Sequence, residues 1–149
     1  MKLDDGHSTR IGFSLDPTVE IYEKTVQPPG LEGGGENNTT TMLNVLYRTK
    51  SPKKLVTLSE ASLKVAYDTK SYTTILAMLN KNQLITITFP DASTYAFYGW
   101  IDEFKPSDLE DGKQPEATVK IIPSNQNAAG AEAAPVWTIG TTTTTTAAT

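Results

Sequence analysis

Apolar and polar positions alternate along much of this chain, and the alternation predicts strands. The clearest run is 61–67, where Ala61, Leu63, Val65 and Tyr67 share one face and Ser62, Lys64 and Ala66 the other. Ile85, Ile87 and Phe89 alternate with Thr86 and Thr88, Pro90-Asp91 supplies a turn, and 95–101 returns as a second strand. Both faces of that return strand are largely apolar: Tyr95, Phe97 and Ile101 on one, Ala96, Tyr98 and Trp100 on the other. A strand of this kind is covered on both sides. Gly99 beside Trp100 marks a bulge or a close backbone approach. The pattern makes Phe89, Tyr95, Phe97, Gly99 and Trp100 the core hairpin. Further strands are expected at 9–15 and 18–26, around Asp16-Pro17, and at 39–47 and 54–59. The last is 116–122, with Ala117, Val119 and Ile121 inward. Helical spacing occurs once, with Ser71 as cap, an apolar stripe of Tyr72, Ile75, Leu76 and Leu79, and Asn80 to Asn82 as the stop.

Between these runs the text changes character. Residues 27–38, QPPGLEGGGENN, hold two prolines and four glycines and read as a long loop. Arg48, Lys50, Lys53 and Lys54 crowd around Ser51-Pro52 as a cationic hairpin tip, and 105–114 is a polar loop. After Pro123 the chain is low in complexity and includes six consecutive threonines, apart from an apolar piece at 136–139 that is able to dock. The expected organisation is a flexible N-terminus at 1–8, one domain at 9–123, and a tail at 124–149. The fold expected is mainly β, a β-sandwich or barrel of about seven to eight strands with one flanking α-helix and long projecting loops.

Composition narrows the chemistry. A chain of 149 residues suits a single domain with a core. Its net charge of −4 argues against bulk attraction to nucleic acid or anionic membrane. The absence of cysteine removes disulfide scaffolds, thiolate metal sites and cysteine nucleophiles. No apolar run reaches the length of a membrane span, and the polar start does not read as a signal peptide. A protein made in the cytosol, or built into something assembled there, is expected. The single histidine, His7, has no positioned third group for a nucleophilic triad, and Asp4, Asp5 and His7 lack the fixed geometry of a metal site. Gly33 to Gly35 lack the lysine and following helix of a phosphate loop. Asp102 and Glu103 are successive on a strand and point to opposite faces, so they do not share a substrate. No catalytic site, cofactor or metal is expected.

The cationic cluster has three readings. It meets phosphates, although no aromatics interleave with it as single-strand binding requires. It is a solvated edge whose lysines discourage aggregation. Or it docks on an acidic patch of another copy, for which Asp102, Glu103, Asp108, Glu110 and Asp111 are the candidates.

The stretch ITFPDASTYAFYGWIDEF, the loop KPSDLEDGKQPE and the strand ATVKIIPSNQN together resemble the C-terminal half of the tail tube (major tail) proteins of long-tailed, lambda-like bacteriophages. The likeness rests on the ordered combination, with Gly99-Trp100 in the aromatic strand and Thr118 to Lys120 in the last, and extends over about residues 9–127. The resemblance implies homohexameric rings that stack into a hollow tube, in a virion tail assembled in the bacterial host cytoplasm. It implies tape-measure, terminator and baseplate proteins as partners, with DNA passing through the lumen unbound, and no membrane. A terminator, baseplate or inner-tube part shares that fold, and a carbohydrate-binding β-sandwich using Trp100 or Trp137 is a further reading.

Overall fold

The computed structural model describes residues 8–17 and 21–140. The Asp4, Asp5 and His7 cluster, residues 18–20 of the second expected strand and the threonine run lie outside the described residues. The strands are β1 (Arg10–Phe13), β2 (Tyr22–Gln27), β3 (Leu31–Gly33), β4 (Glu36–Asn38), β5 (Lys50–Pro52), β6 (Val56–Leu58) and β7 (Ala61–Ala66). The helix α1 (Thr69–Met78) follows, then β8 (Gln83–Thr88), β9 (Thr94–Pro106), β10 (Glu116–Pro123) and β11 (Val136–Thr138).

The main sheet is antiparallel, in the order β1-β8-β9-β10-β7-β2, with β11 added beside the start of β9. Alternation in the sequence becomes burial here. Ala61, Leu63 and Val65 of β7, Ile85 and Ile87 of β8, Phe97 and Ile101 of β9, and Val119 and Ile121 of β10 are almost completely buried in one cluster. Ile11 and Phe13 of β1 join it. The two outer strands approach each other, and the Ile11 N–H donates to the Glu23 carboxylate at 2.9 Å. The sheet therefore curls into a nearly closed barrel, mainly β with one helix at its side, and consumes most of its own edges.

The β8–β9 hairpin turns through 89–93, where the Phe89 N–H bonds the Ser93 carbonyl at 2.8 Å and Ala92 takes φ of 67°. The Asp91 carboxylate accepts the Ser93 N–H at 3.0 Å, which holds its carboxyl below the ordinary value. Gly99 is a close approach, since a Cβ there would lie 2.6 Å from the Ile122 carbonyl oxygen. The neighbouring strand shifts register between Lys120 and Ile121. Of the expected core hairpin, Phe97 and Gly99 are buried, and Phe89 and Tyr95 are partly buried and pack on the core. Trp100 does not belong to that cluster: it projects from the opposite face of β9, where it is only partly buried.

Four expectations change in the structure. Residues 39–47, expected as a strand, form turns, because Asn44 draws the chain back on itself. Its side chain accepts the Thr41 N–H at 2.9 Å and donates to the Tyr47 carbonyl at 2.9 Å. Residues 27–38, expected as a loop, carry β3 and β4, which pair with β6 and β5. The cationic stretch 48–54 is accordingly not the tip of a hairpin but one flank of a longer one. Helix α1 is capped by Asp68 and not by Ser71. The Asp68 carboxylate accepts the Ser71 N–H at 2.8 Å and its hydroxyl at 3.0 Å, lowering the Asp68 pKa.

Residues 124–140, read as tail apart from 136–139, fold back on the body. The Ser124 N–H donates to the Tyr98 carbonyl at 2.8 Å, β11 pairs with β9 from Thr94 to Ala96, and the Gly140 N–H reaches the Ser93 hydroxyl at 3.0 Å. Trp137 seals this strand by ring contacts at 5.3 Å to Phe89 and 5.5 Å to Tyr95.

Candidate interaction surface

One feature of the chain is built for reach. The registers of three short ladders continue one another: Gln27 faces Ser62, Leu31 faces Leu58, and Glu36 faces Pro52. Residues 22–66 are thus a single long hairpin. Its lower part belongs to the main sheet, and its upper part, about eleven residues a side, projects as an arm of roughly 30 Å at normal strand rise. Bonds between ladders keep it continuous, with the Ser59 N–H on the Gly30 carbonyl at 2.9 Å and the Lys53 N–H on the Gly35 carbonyl at 3.1 Å. Gly35 has φ of 89°, a conformation that favours glycine, and Gly34 packs its backbone against Lys53 and Leu55. The glycine run therefore serves the change of ladder.

The arm has no core of its own, and no residue from 30 to 57 is buried. Its tip nevertheless carries Met42, Leu43, Val45, Leu46 and Tyr47, each more than 80% exposed. Isolated exposed apolar residues are ordinary, but a contiguous group at the end of a projecting element marks a contact surface.

The expected cationic residues sit directly behind that tip. Lys50 pairs with Glu36 across the arm at 2.8 Å. Arg48, Lys53 and Lys54 have no ion-pair partner among the described residues. The expected acids divide into two sets. Asp108, Glu110 and Asp111 lie on the exposed loop after β9, and Glu110 is engaged by Lys113 at 2.6 Å. Asp102 and Glu103 lie on β9 itself, Glu103 directly opposite Lys120. The Lys120 pKa is raised, chiefly by its 3.0 Å bond to Glu60, with Asp102 and Glu103 adding to it. Within one protomer the cations of the arm and the acids of β9 are not brought together by any ion pair.

A second surface appears along the apolar stripe of the helix. The face of α1 against the core is Ser71, Ile75 and Met78, so Tyr72 is 46% exposed and Leu76 63% exposed. With Leu79 and Phe104 they line a groove of about 220 Å³, and Asp102 and Glu103 form its rim. Phe104 is held between Tyr67 and Tyr72 by edge-on ring contacts at 5.4 and 5.5 Å. The groove follows the edge that β9 leaves open. β8 covers it only as far as Gly99, and Leu79-Asn80 touch it at Ile101, the Asn80 N–H meeting the Ile101 carbonyl at 3.1 Å. The sequence pattern showed the stripe but not which part of it the sheet would leave uncovered. The apolar tip was masked because its residues read as a strand.

Chemistry-bearing groups do not converge on either surface. Among the described residues there is no set of three or more His, Asp or Glu able to hold a metal, and no helix long and apolar enough to cross a membrane. Arm and groove are the two exposed apolar surfaces described above.

The fold has a counterpart among solved structures. A chain in the six-fold symmetrised cryo-EM structure of the anti-feeding prophage baseplate superposes with a TM-score of 0.51 at 11% identity, over 89% of this chain and 91% of that one. No protein-family model and no curated protein matches the sequence. At this identity the likeness is one of fold.

Proposed function

We propose that this chain is a structural subunit of a phage-type tail assembly, without catalytic activity, that works by binding copies of itself and neighbouring tail proteins. The observation that carries the reading is the arm with its exposed apolar tip, on a barrel whose fold is shared with a baseplate chain. A solitary protein gains nothing from holding five large apolar side chains in water at the end of a paired hairpin, whereas an assembly buries them.

Within that class we favour the tail tube: homohexameric rings that stack, in a virion tail built in the host cytoplasm, with genomic DNA passing through the lumen. A ring needs a heterologous contact that closes and a stack needs a second that does not. The arm and the open edge of β9 are unlike surfaces, as a heterologous contact between copies requires. The net charge of −4 fits a channel in which DNA slides without being held. Tape-measure, terminator and baseplate proteins are the partners this role brings. A baseplate or terminator subunit is the second reading, favoured by the fold of the chain it matches. Negative-stain electron microscopy with light scattering across a concentration series separates the two. Hollow tubes or stacked rings are expected for the tube. Rings or small oligomers of fixed size would overturn it in favour of the second reading.

A further inference from the structure

We infer that the groove between α1 and β9 is the socket for the arm tip of another copy of this chain. The inference rests on the assembly reading above and adds the contact itself: Leu46 of one copy enters the space over Tyr72, Leu76 and Phe104 of the next, Leu43 and Tyr47 lie beside it, and Arg48 meets Asp102.

Geometry makes the contact intermolecular. Glu103 stands on the groove rim and also lines the shallow depression at the foot of the arm, beside Gln27, Ser59 and Ser62. The groove is therefore near the base of the arm, and the tip is held roughly 30 Å away by strand pairing. A paired hairpin does not bend back onto its own root, so the two apolar surfaces of one molecule do not meet. The contact then links unlike surfaces, head to tail, and displaces successive copies by about one arm length. Such a contact propagates without closing.

Chemistry makes the pair complementary. The groove exposes an aliphatic and aromatic floor with an acidic rim, and the tip presents aliphatic side chains with an unpaired cation at its shoulder. A cavity of about 150 Å³ already accepts benzene, so a groove of about 220 Å³ has room for a large side chain of the tip. The charged rim selects the register in which the tip enters.

The chain contains no cysteine, so single introduced thiols report the contact without interference. Leu46→Cys and Leu76→Cys both alter exposed side chains and leave the core intact. Mixed and mildly oxidised, the two variants are expected to give disulfide-linked dimers joining position 46 to position 76. The double variant is expected to give a ladder of covalent multimers, and Asp102→Lys in its background should abolish it, with Arg48→Asp restoring part of it. If wild type assembles by light scattering but no 46–76 link forms, the socket is wrong and the assembly reading stands. Links between two copies of position 46 would mean tip-to-tip contact and also overturn it. If wild type stays monomeric and no link forms at any concentration, both the socket and the self-assembly reading fall. Flotation on phosphatidylserine–phosphatidylcholine vesicles covers one further outcome. Tip-dependent vesicle binding without the 46–76 link would assign the tip to lipid and overturn the socket.

Discussion

The face of β9 that forms the core is open to a direct test, because the strand offers a large aromatic on each side. Phe97 is 1% exposed and sits at the centre of the main cluster, with Tyr95 against it at 5.8 Å. Trp100 projects from the other face, partly buried and outside that cluster. Replacing Phe97 by alanine removes a ring from a close-packed interior and leaves a cavity that the surrounding strands cannot collapse around, at a cost of about 3–5 kcal/mol. Trp100→Ala removes more atoms, but the space it vacates is reached by water, and about 1–2 kcal/mol is expected. For a chain of this size a kilocalorie shifts Tm by roughly 2–4 °C, so Phe97→Ala should fall by roughly 10–15 °C and Trp100→Ala by less than half as much. Both variants should be measured by urea unfolding at one low protein concentration, since any self-association would add apparent stability. Equal losses, or a larger loss for Trp100→Ala, would refute the assignment of faces along β9 and with it the register of the central strands.

Other expectations follow from single contacts. Glu23→Ala removes the acceptor that joins β2 to β1 through the Ile11 N–H, and should cost about 1–2 kcal/mol. Unchanged stability would mean that the barrel is not closed there. Asp68→Ala should lower Tm at neutral pH. Because hydrogen bonds from Ser71 depress the Asp68 pKa in the folded state, that stabilisation is present above the unfolded value near pH 4 and is lost as pH falls through the folded value. The gap between wild type and variant should therefore close in acid, and a gap that persists there would count against the cap. Gly140→Ala drives a Cβ into the Asp91 carbonyl oxygen. Faster amide exchange at Val136 to Thr138, with the core unaffected, is the expected readout.

The body of the fold was legible where burial imposes a period on the sequence. Ala61, Leu63 and Val65 are inward because a sheet face alternates, and the same rule placed Ile85, Ile87, Val119 and Ile121. Gly99 was legible as a close approach because only the smallest residue fits against the Ile122 carbonyl. The arm was legible as long projecting segments but not as paired strands. With no buried side its strands carry no alternation, and its glycines and prolines read as a loop. Conversely, Met42 to Tyr47 have the composition of a strand but meet no sheet, and Asn44 turns them through its side-chain bonds. The helix was found by its spacing, yet its cap and buried face were misplaced by part of a turn. Ser71, Asp68 and the apolar stripe all fit the helix rules, and only contact with β9 decides among them. The cationic and acidic residues singled out as an interface were visible as composition, but the division of the acids between β9 and the following loop is a matter of topology.

The separation of arm from core has a consequence for how such a chain changes over time. No residue from 30 to 57 is buried, so substitutions there do not touch the interactions that hold the barrel together. Most mutations that damage a protein do so through its stability, and this stretch is largely exempt from that filter. The arm is therefore free to drift or lengthen while the barrel stays as it is. The same property makes the arm a natural place to graft a foreign tip without disturbing the barrel.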